Sequence, residues 1–202
     1  MGTPMKLTSG NIIAIYFMAN SQELEEGLMW YRRANQIAET IANTYKVDLK
    51  KICGVIAALS PSNKWERNCR DAENLTRIFC AGGDPYSLKV STYGRNKQKA
   101  ISILEGSDIE ETLGGRKVTA FYKCMAGEDA VCIDGHAYNI WMGERLPLDK
   151  IPNIGVKLYK RIASDYIDAT DKINSITSQS LKPSDVQAIT WVAWRRMIKE
   201  VN

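Results

Sequence analysis

The chain contains 202 residues, of which 45% are hydrophobic and 25% charged, values that exclude a disordered or fibrous protein and favour one compact unit. Its 27 basic and 23 acidic residues give a net charge of +4, which permits a nucleic-acid partner without predicting one. The longest apolar run, residues 12–19, is shorter than the roughly 20 residues of a membrane span and lacks a signal-peptide cleavage site, so we expect a cytoplasmic protein with no membrane partner.

Helical periodicity dominates the sequence, and no segment alternates as a half-buried strand does, which predicts an all-α protein. The segment 48–59 is almost entirely apolar after Lys51, so we expect it to be a buried central helix. Three helix starts carry the spacing of a capping box: Asn20 with Glu23, Ser107 with Glu110, and Ser184 with Gln187. The predicted helices cover about 9–18, 21–45, 48–59, 63–80, 95–104, 107–113, 117–125, 134–142, 156–173 and 184–201.

The cysteines and the histidine argue against a metal centre. Five cysteines are present with no Cys-x-x-Cys spacing, and His136 is the single histidine. Zinc sites normally combine several cysteine and histidine ligands, and iron–sulfur clusters need four closely spaced cysteines. We therefore predict no metal and no cofactor. Cys53, Cys69 and Cys124 fall inside predicted helices, where we expect buried, reduced thiols.

A predicted helical hairpin follows Leu113. A short helix, a Gly-Gly turn and a second helix are expected there, and Gly114 and Gly115 permit positive φ and a close approach of the backbone to a ligand. The amides that open the second helix point outward beside Arg116 and Lys117, a combination that suits a phosphate group. Because helix–Gly–helix turns are common, the pattern alone fits a purely structural turn as well.

Asp134 follows the apolar residues Val-Cys-Ile and precedes a predicted helix. The simplest interpretation is an N-cap, which contributes about 1 kcal/mol to helix stability. The other interpretation is a carboxylate held at the edge of a cleft, with its position fixed by the helix start. His136 lies in the first turn of the same helix, and we expect it to hydrogen-bond a neighbouring loop rather than act as an acid or base.

Four short segments occur in a recognisable order between about residues 55 and 141. They are Leu-Ser-Pro-Ser-Asn at 59–63, Tyr-Gly-Arg-Asn-Lys-Gln-Lys-Ala at 93–100, the hairpin, and Ile-Asp-Gly-His at 133–136. Together they resemble the helix-hairpin-helix DNA glycosylase superfamily, with its endonuclease III-like and 8-oxoguanine glycosylase-like members. The hairpin is about one residue shorter than in that family, a register that would put Val118 in place of its lysine.

The resemblance implies a glycosylase-like fold in which two helical lobes flank a cleft. One lobe would span about 48–133 and carry the hairpin, and the other would be formed by about 1–47 and 134–202. The implied activity is to flip a nucleotide out of duplex DNA and cleave its N-glycosidic bond. Asp134 would stabilise the oxocarbenium-like sugar or orient a water or amine. Lys117 would either attack C1′ and form a Schiff base, adding strand cleavage, or contact a phosphate.

The same resemblance assigns DNA contacts outside the catalytic pair. The DNA backbone would be held by Gly114, Gly115 and Arg116. Arg95 and Lys97 would extend this phosphate-binding face, although their pattern fits a solvated helix face equally well. The base pocket would be lined, or the gap in the stack filled, by Ser62, Asn63 and Trp65. Trp65 fits a partly buried helix position equally well. Gln187 and Arg195, on the last predicted helix, could reach the cleft.

Two other functions stay open at this stage. The short hairpin, the compact size and the segments 60–68 and 187–191 are similar to small phage-type proteins of this superfamily that are linked to thymine hypermodification. Such an enzyme would replace pyrophosphate on an activated 5-hydroxymethyluracil with an amine, and Asp134 would activate the amine or orient the flipped base. The remaining alternative is a DNA-binding module without chemistry. No protein partner is predicted.

Overall fold

The computed structural model describes residues 8–199, and this part of the chain consists of α-helices, two short 3-10 helices and loops, with no β-strand. The predicted all-α class is therefore confirmed. No helix within the described residues is long and apolar enough to cross a bilayer. The helices are α1 (Thr8–Met18), α2 (Ser21–Tyr45), α3 (Leu49–Leu59), α4 (Trp65–Cys80), α5 (Gly94–Glu105), α6 (Ile109–Leu113), α7 (Arg116–Met125), α8 (Gly135–Met142), α9 (Val156–Thr177) and α10 (Pro183–Lys199), with 3-10 helices at Pro85–Ser87 and Leu148–Lys150.

The chain divides into two compact units. Unit 1 contains residues 8–31 and 129–199 of the described chain, and unit 2 is Arg32–Glu128. Helices α1, α8, α9 and α10 and the start of α2 belong to unit 1, whereas the rest of α2 and α3 to α7 belong to unit 2. The unit boundaries fall after residues 31 and 128, whereas the sequence placed the lobe boundaries near residues 48 and 134.

The core of unit 1 forms where α1 packs against α8, α9 and α10. Ile12 of α1, Ile140 of α8, and Ile162 and Tyr166 of α9 are completely buried within it. Full burial of an aliphatic or aromatic side chain of this size contributes roughly 1.5–3 kcal/mol each, which holds the four helices together. The two helices that matter for the candidate site, α8 and α10, also pack directly on each other.

In unit 2, α3 is the central helix, and α4, α5, α6 and α7 pack around it. All residues from Ile52 to Leu59 are buried, as the apolar composition of this segment predicted. Cys53 is among them, and burial raises the pKa of its thiol to about 12. Cys124 of α7 is buried too, whereas Cys69 of α4 is half-buried with a pKa raised by burial to about 11. The thiols of Cys53 and Cys69 are therefore protonated near pH 7.

One of the three expected capping boxes forms as predicted. The Glu23 amide donates to Asn20 Oδ1 at 2.9 Å, and the Asn20 amide donates to Glu23 Oε2 at 2.9 Å. The Ser107 box is wrong, because the Ser107 amide bonds to the carbonyl of Ser102 and so closes the end of α5. Asp108 caps α6 instead, accepting from the Glu111 amide at 2.8 Å.

The Ser184 box is also wrong, because α10 begins one residue earlier, at Pro183. Proline suits the first helical position, since its φ is already helical and its missing N–H would have no partner there. The Lys182 amide donates to Asp185 Oδ2 at 2.8 Å, and Ser184 lies inside the first turn. The predicted end of this helix, residue 201, lies outside the described residues.

Two further helix ends differ from the prediction. Helix α4 begins at Trp65 rather than at residue 63, because Ser62 adopts a left-handed φ of 56° and turns the chain first. Helix α9 continues to Thr177, four residues beyond the predicted end, and stops where Ser178 adopts the left-handed conformation. No glycine or proline lies between residues 173 and 178, so the sequence does not mark where α9 ends.

Gly27 lets the backbone of α2 approach α10 closely. A Cβ atom at this position would lie 2.3 Å from Ile189 Cα and 2.6 Å from its amide nitrogen. Both contacts are to backbone, so no side-chain rotation can relieve them. The close approach therefore depends on the absence of a side chain, not on an unusual backbone conformation.

We predict that Gly27→Ala destabilises the protein although alanine is the better helix former. The alanine gains about 1 kcal/mol in helix propensity, but overpacking against the α10 backbone costs roughly 3 kcal/mol. Urea denaturation followed by circular dichroism measures the difference. Gly94→Ala is the matched control, because a Cβ there meets no atom within 4 Å, and it should leave the midpoint unchanged or slightly raised. Equal midpoints for both variants would contradict the close approach.

Candidate functional site in unit 1

Asp134 lies at the N-terminus of α8, where its carboxylate has two defined partners. Oδ1 accepts a hydrogen bond from the Ala137 amide at 2.8 Å, which makes Asp134 the N-cap that the sequence predicted. Oδ2 accepts a second hydrogen bond, at 3.2 Å, from Trp191 Nε1 on α10. The side chain remains partly exposed. Two donors from different helices therefore fix a carboxylate that solvent still reaches.

Trp191 is the centre of the side-chain cluster around Asp134. Its indole packs against that of Trp30 with ring centroids 5.4 Å apart, and the imidazole of His136 meets it edge-on at 6.2 Å. The guanidinium of Arg195, one helical turn further along α10, lies 4.5 Å from the ring centroid. We refer to Asp134, His136, Trp191 and Arg195 as the Asp134 cluster. All four side chains belong to unit 1.

His136 is half-buried in this cluster. Burial lowers the pKa of its imidazole, the Asp134 carboxylate raises it, and the Arg195 guanidinium lowers it again. The net direction is downward, so the ring is neutral near pH 7. Its Nδ1 atom is buried and has no hydrogen-bond partner, so the loop contact expected from the sequence is not made through this nitrogen.

Two neighbouring polar side chains are already engaged in the packing of unit 1. Gln187, one turn before Trp191, is buried and accepts a hydrogen bond from the hydroxyl of Tyr31 at 2.8 Å. Tyr166 is fully buried, and both burial and the charge of Asp134 raise the pKa of its phenol. Near pH 7 this phenol is therefore neutral. The formal charges in the Asp134 cluster itself are those of Asp134 and Arg195.

The predicted hairpin forms in unit 2. Gly114 ends α6 with a φ of 65°, a conformation that favours glycine, and Gly115 opens α7 without a side-chain cap. Arg116 and Lys117 are the first residues of α7, and both are exposed. The Leu113 carbonyl at the turn accepts from Lys99 Nζ at 2.6 Å. The hairpin therefore presents an uncapped helix start with two adjacent cations.

Two other basic side chains of unit 2, those of Lys97 and Lys123, form bonds within the protein. Lys97 Nζ donates to the carbonyls of Tyr86 and Leu88 at 2.6 and 2.9 Å, and so fixes the segment after the first 3-10 helix. Lys123 of α7 pairs with Glu110 at 2.8 Å. Arg95 is exposed and lies 5.6 Å from the ring of Tyr93. Of the predicted phosphate contacts, Arg95 and Arg116 therefore keep exposed guanidinium groups, whereas the ammonium of Lys97 is bonded to backbone.

The three residues assigned to a base pocket lie around the turn between α3 and α4. Asn63 Nδ2 donates to the Leu59 carbonyl at 3.3 Å and to Asp71 at 3.2 Å, while its Oδ1 is buried without a partner. Ser62 is exposed, and Trp65 is half-buried with its ring 6.3 Å from that of Phe121. The pocket role of these residues stays a prediction.

The turn between α3 and α4 is joined to the segment that precedes α5. Thr92 Oγ1 donates to the Pro61 carbonyl at 2.5 Å, and the Ser91 amide donates to Asp71 Oδ2 at 2.7 Å. Unit 2 therefore brings together two segments that the sequence singled out separately. Within the described chain, no three His, Cys, Asp or Glu side chains are grouped as a metal site requires.

The sequence model of one protein family matches residues 2–198. The chain belongs to the family of unknown function DUF7178. No curated protein and no solved structure matches the chain. Membership of this family therefore assigns no activity to the chain.

The sequence pointed to Asp134 and missed most of its surroundings. Trp191 lies in the segment 187–191 that the resemblance singled out, but the sequence predicted no contact between it and Asp134, and it pointed to no role for Trp30. A weak signal was present, because Trp191 and Arg195 are four residues apart and so share one face of a helix. What the sequence lacked was the pairing of α10 with α8, which places the Trp191 indole against the Asp134 carboxylate.

We predict that the single imidazole of the protein titrates below the ordinary histidine pKa of about 6.5. Because the unfolded chain then binds a proton more readily than the folded protein, stability falls as the pH drops through and below that value. Nuclear magnetic resonance of the His136 ring protons gives the titration directly. Chemical denaturation between pH 8 and 5 should show a smaller loss of stability in His136→Gln than in the wild type. A titration midpoint above 6.5 would contradict the prediction that burial lowers the pKa of the imidazole.

Proposed function

We propose that this protein is a DNA glycosylase-like enzyme that flips a modified base out of duplex DNA and cleaves its N-glycosidic bond. The observation that carries the proposal is the Asp134 carboxylate, partly exposed and fixed by the Ala137 amide and Trp191 Nε1. A catalytic carboxylate must be held in position before the substrate arrives, because its charge then needs no reorganisation during the reaction. An N-cap with a second donor from another helix meets this requirement.

The role assigned to Asp134 in the reaction is electrostatic stabilisation. As the base departs, positive charge develops on C1′ and the ring oxygen of the sugar, and a nearby carboxylate stabilises that oxocarbenium character. Each Asp134 oxygen already accepts one hydrogen bond, which keeps the negative charge oriented. A water molecule completes the hydrolysis by adding to C1′. The neutral His136 ring beside Asp134 adds no competing positive charge.

Binding of the DNA backbone is assigned to the hairpin of unit 2. The amides at the start of α7 have no side-chain cap, and Arg116 and Lys117 stand beside them. Backbone amides and cations of this kind position a duplex through its phosphates without reading its sequence. Unstacking a nucleotide costs a few kcal/mol, and these contacts offset that cost.

Lys117 is assigned to a phosphate rather than to a Schiff base. A nucleophilic lysine is activated by burial in an apolar pocket or by a second cation at close range. Lys117 is instead exposed on the first turn of α7. We therefore propose a glycosylase without lyase activity. Ser62, Asn63 and Trp65 remain the proposed contacts to the flipped base or to the gap it leaves.

The proposal predicts that Asp134→Asn abolishes base release. Duplexes containing uracil, oxidised or 5-substituted bases are incubated with the protein, and free bases are identified by mass spectrometry. The neutral amide cannot stabilise the oxocarbenium charge, so we expect a loss of about 1,000-fold in single-turnover rate with DNA affinity retained.

Asp165→Asn is the matched control. Asp165 is another unit 1 aspartate whose Oδ2 accepts a tryptophan N–H, from Trp141 at 2.6 Å, and it should keep full activity. Full activity of Asp134→Asn would overturn the proposed role of this residue. Release of pyrophosphate from an activated 5-hydroxymethyluracil would instead favour the transferase alternative, and binding without any turnover would favour the DNA-binding module.

The phosphate role of Lys117 makes a separate prediction. Lys117→Gln should weaken DNA binding on all sequences alike and reduce the slope of log affinity against log salt by about one. Borohydride treatment with abasic DNA should trap no covalent adduct on the wild type. Fluorescence anisotropy at several salt concentrations and gel electrophoresis provide the two readouts.

Lys123→Gln removes a charge of the same sign from the last turn of α7, at the end of the helix away from the hairpin, where the Lys123 ammonium forms an ion pair with Glu110. Its salt slope should therefore stay at the wild-type value. A trapped adduct that disappears in Lys117→Gln would show that the Schiff-base assignment is right and the phosphate assignment wrong.

A further inference from the structure

Arg195 and Asp134 are held by different parts of one indole ring. The guanidinium of Arg195 stacks on the Trp191 ring 4.5 Å from its centroid, and the N–H edge of the same ring donates to Asp134. Arg195 is exposed, so its charge is accessible to a bound molecule. The cluster therefore offers one fixed negative and one fixed positive charge within the reach of a single nucleoside.

Electrostatics within unit 1 agree with this arrangement. The charges of Asp134 and Arg195 both act on the His136 ring, in opposite directions. His136 and Tyr166 are themselves neutral near pH 7, because burial lowers the pKa of the imidazole and raises that of the phenol. Because His136 and Tyr166 carry no charge, neither residue screens the charges of Asp134 and Arg195.

Heterolytic cleavage of an N-glycosidic bond creates the matching pair of charges. The C1′–N bond breaks with its electron pair staying on the base nitrogen, so that the sugar becomes positive and the departing base becomes an anion. Water then bonds to C1′ through oxygen and releases one proton, which neutralises the base. Asp134 accounts for the positive partner, and the proposed function leaves the negative partner without a stabilising group.

We infer that Arg195 stabilises the departing base as an anion, and that the substrates are therefore uncharged bases, such as 5-substituted uracils, that leave as anions. This inference rests on the proposed glycosylase function and adds the substrate class to it. A base that is already cationic, such as an N7-alkylated guanine, leaves as a neutral molecule. It gains nothing from Arg195, and the guanidinium repels it before cleavage.

The test measures how the excision rate depends on the leaving group. Uracil and 5-hydroxymethyluracil are the less acidic bases of the series, and 5-fluorouracil and 5-formyluracil, with electron-withdrawing substituents, are the more acidic ones; single-turnover rates are determined for duplexes carrying each. If Arg195 stabilises the anion, Arg195→Gln reduces the rate on uracil by about 100-fold and the rate on 5-fluorouracil much less, because the more acidic base needs less help. Arg195→Lys, which retains the charge, should recover part of the loss.

Arg145→Gln is the matched control, since Arg145 is a second unit 1 arginine stacked on an indole, 5.4 Å from the Trp194 centroid. It should leave every rate in the series unchanged. A uniform loss across the series in Arg195→Gln would overturn the inference, because a phosphate contact acts equally on all substrates.

Efficient release of 7-methylguanine by the wild type would overturn the inference as well, while leaving the glycosylase proposal standing. Release of none of these bases from any duplex would instead overturn the proposed function, and this inference with it. Selective loss on the poorer leaving groups is the outcome that supports Arg195 as a catalytic residue.

Discussion

The hydrogen bond from Trp191 to Asp134 is the contact on which the geometry of the candidate site depends. It joins the N-terminus of α8 to the middle of α10, and a hydrogen bond to a charged group contributes about 1.5–3 kcal/mol. Without it the carboxylate would have the Ala137 amide as its one described partner, and Oδ2 would be free to rotate toward solvent. The same indole carries the contacts to Trp30, His136 and Arg195.

Close helix packing makes this contact possible. Helix α10 is buried along the face that contains Ile189 and Ala193, and Gly27 allows α2 to approach the same helix at backbone distance. Trp191 follows Ile189 by two residues on this helix. A shift of α10 would therefore disrupt its buried contacts and its close contact with α2. Close-packed protein interiors resist small displacements, so a side chain on a packed helix is positioned more accurately than one on a surface loop.

In unit 2, the number of basic residues is a poor measure of the positive charge that solvent can reach. The chain carries a net charge of only +4, and several of its basic side chains are used internally. Lys97, Lys99 and Lys123 bind backbone carbonyls or a carboxylate, and so stabilise the segments that flank the hairpin. Arg116 remains exposed at a helix start without a side-chain cap. A count of lysines and arginines would therefore have overstated the exposed positive charge of unit 2.

The sequence by itself determined the helical class, most helix positions, the buried α3 and Asp134 as an N-cap, because these follow from hydrophobic periodicity and from local hydrogen bonds. It failed at Ser107 and Ser184, where a neighbouring aspartate or proline competed for the helix start within one residue. It could not place Trp191 against Asp134, since the two are 57 residues apart and meet only when α10 packs on α8. Tertiary packing alone therefore decided the second partner of the carboxylate, the Trp191 indole, because contacts between distant helices depend on burial that no local pattern encodes.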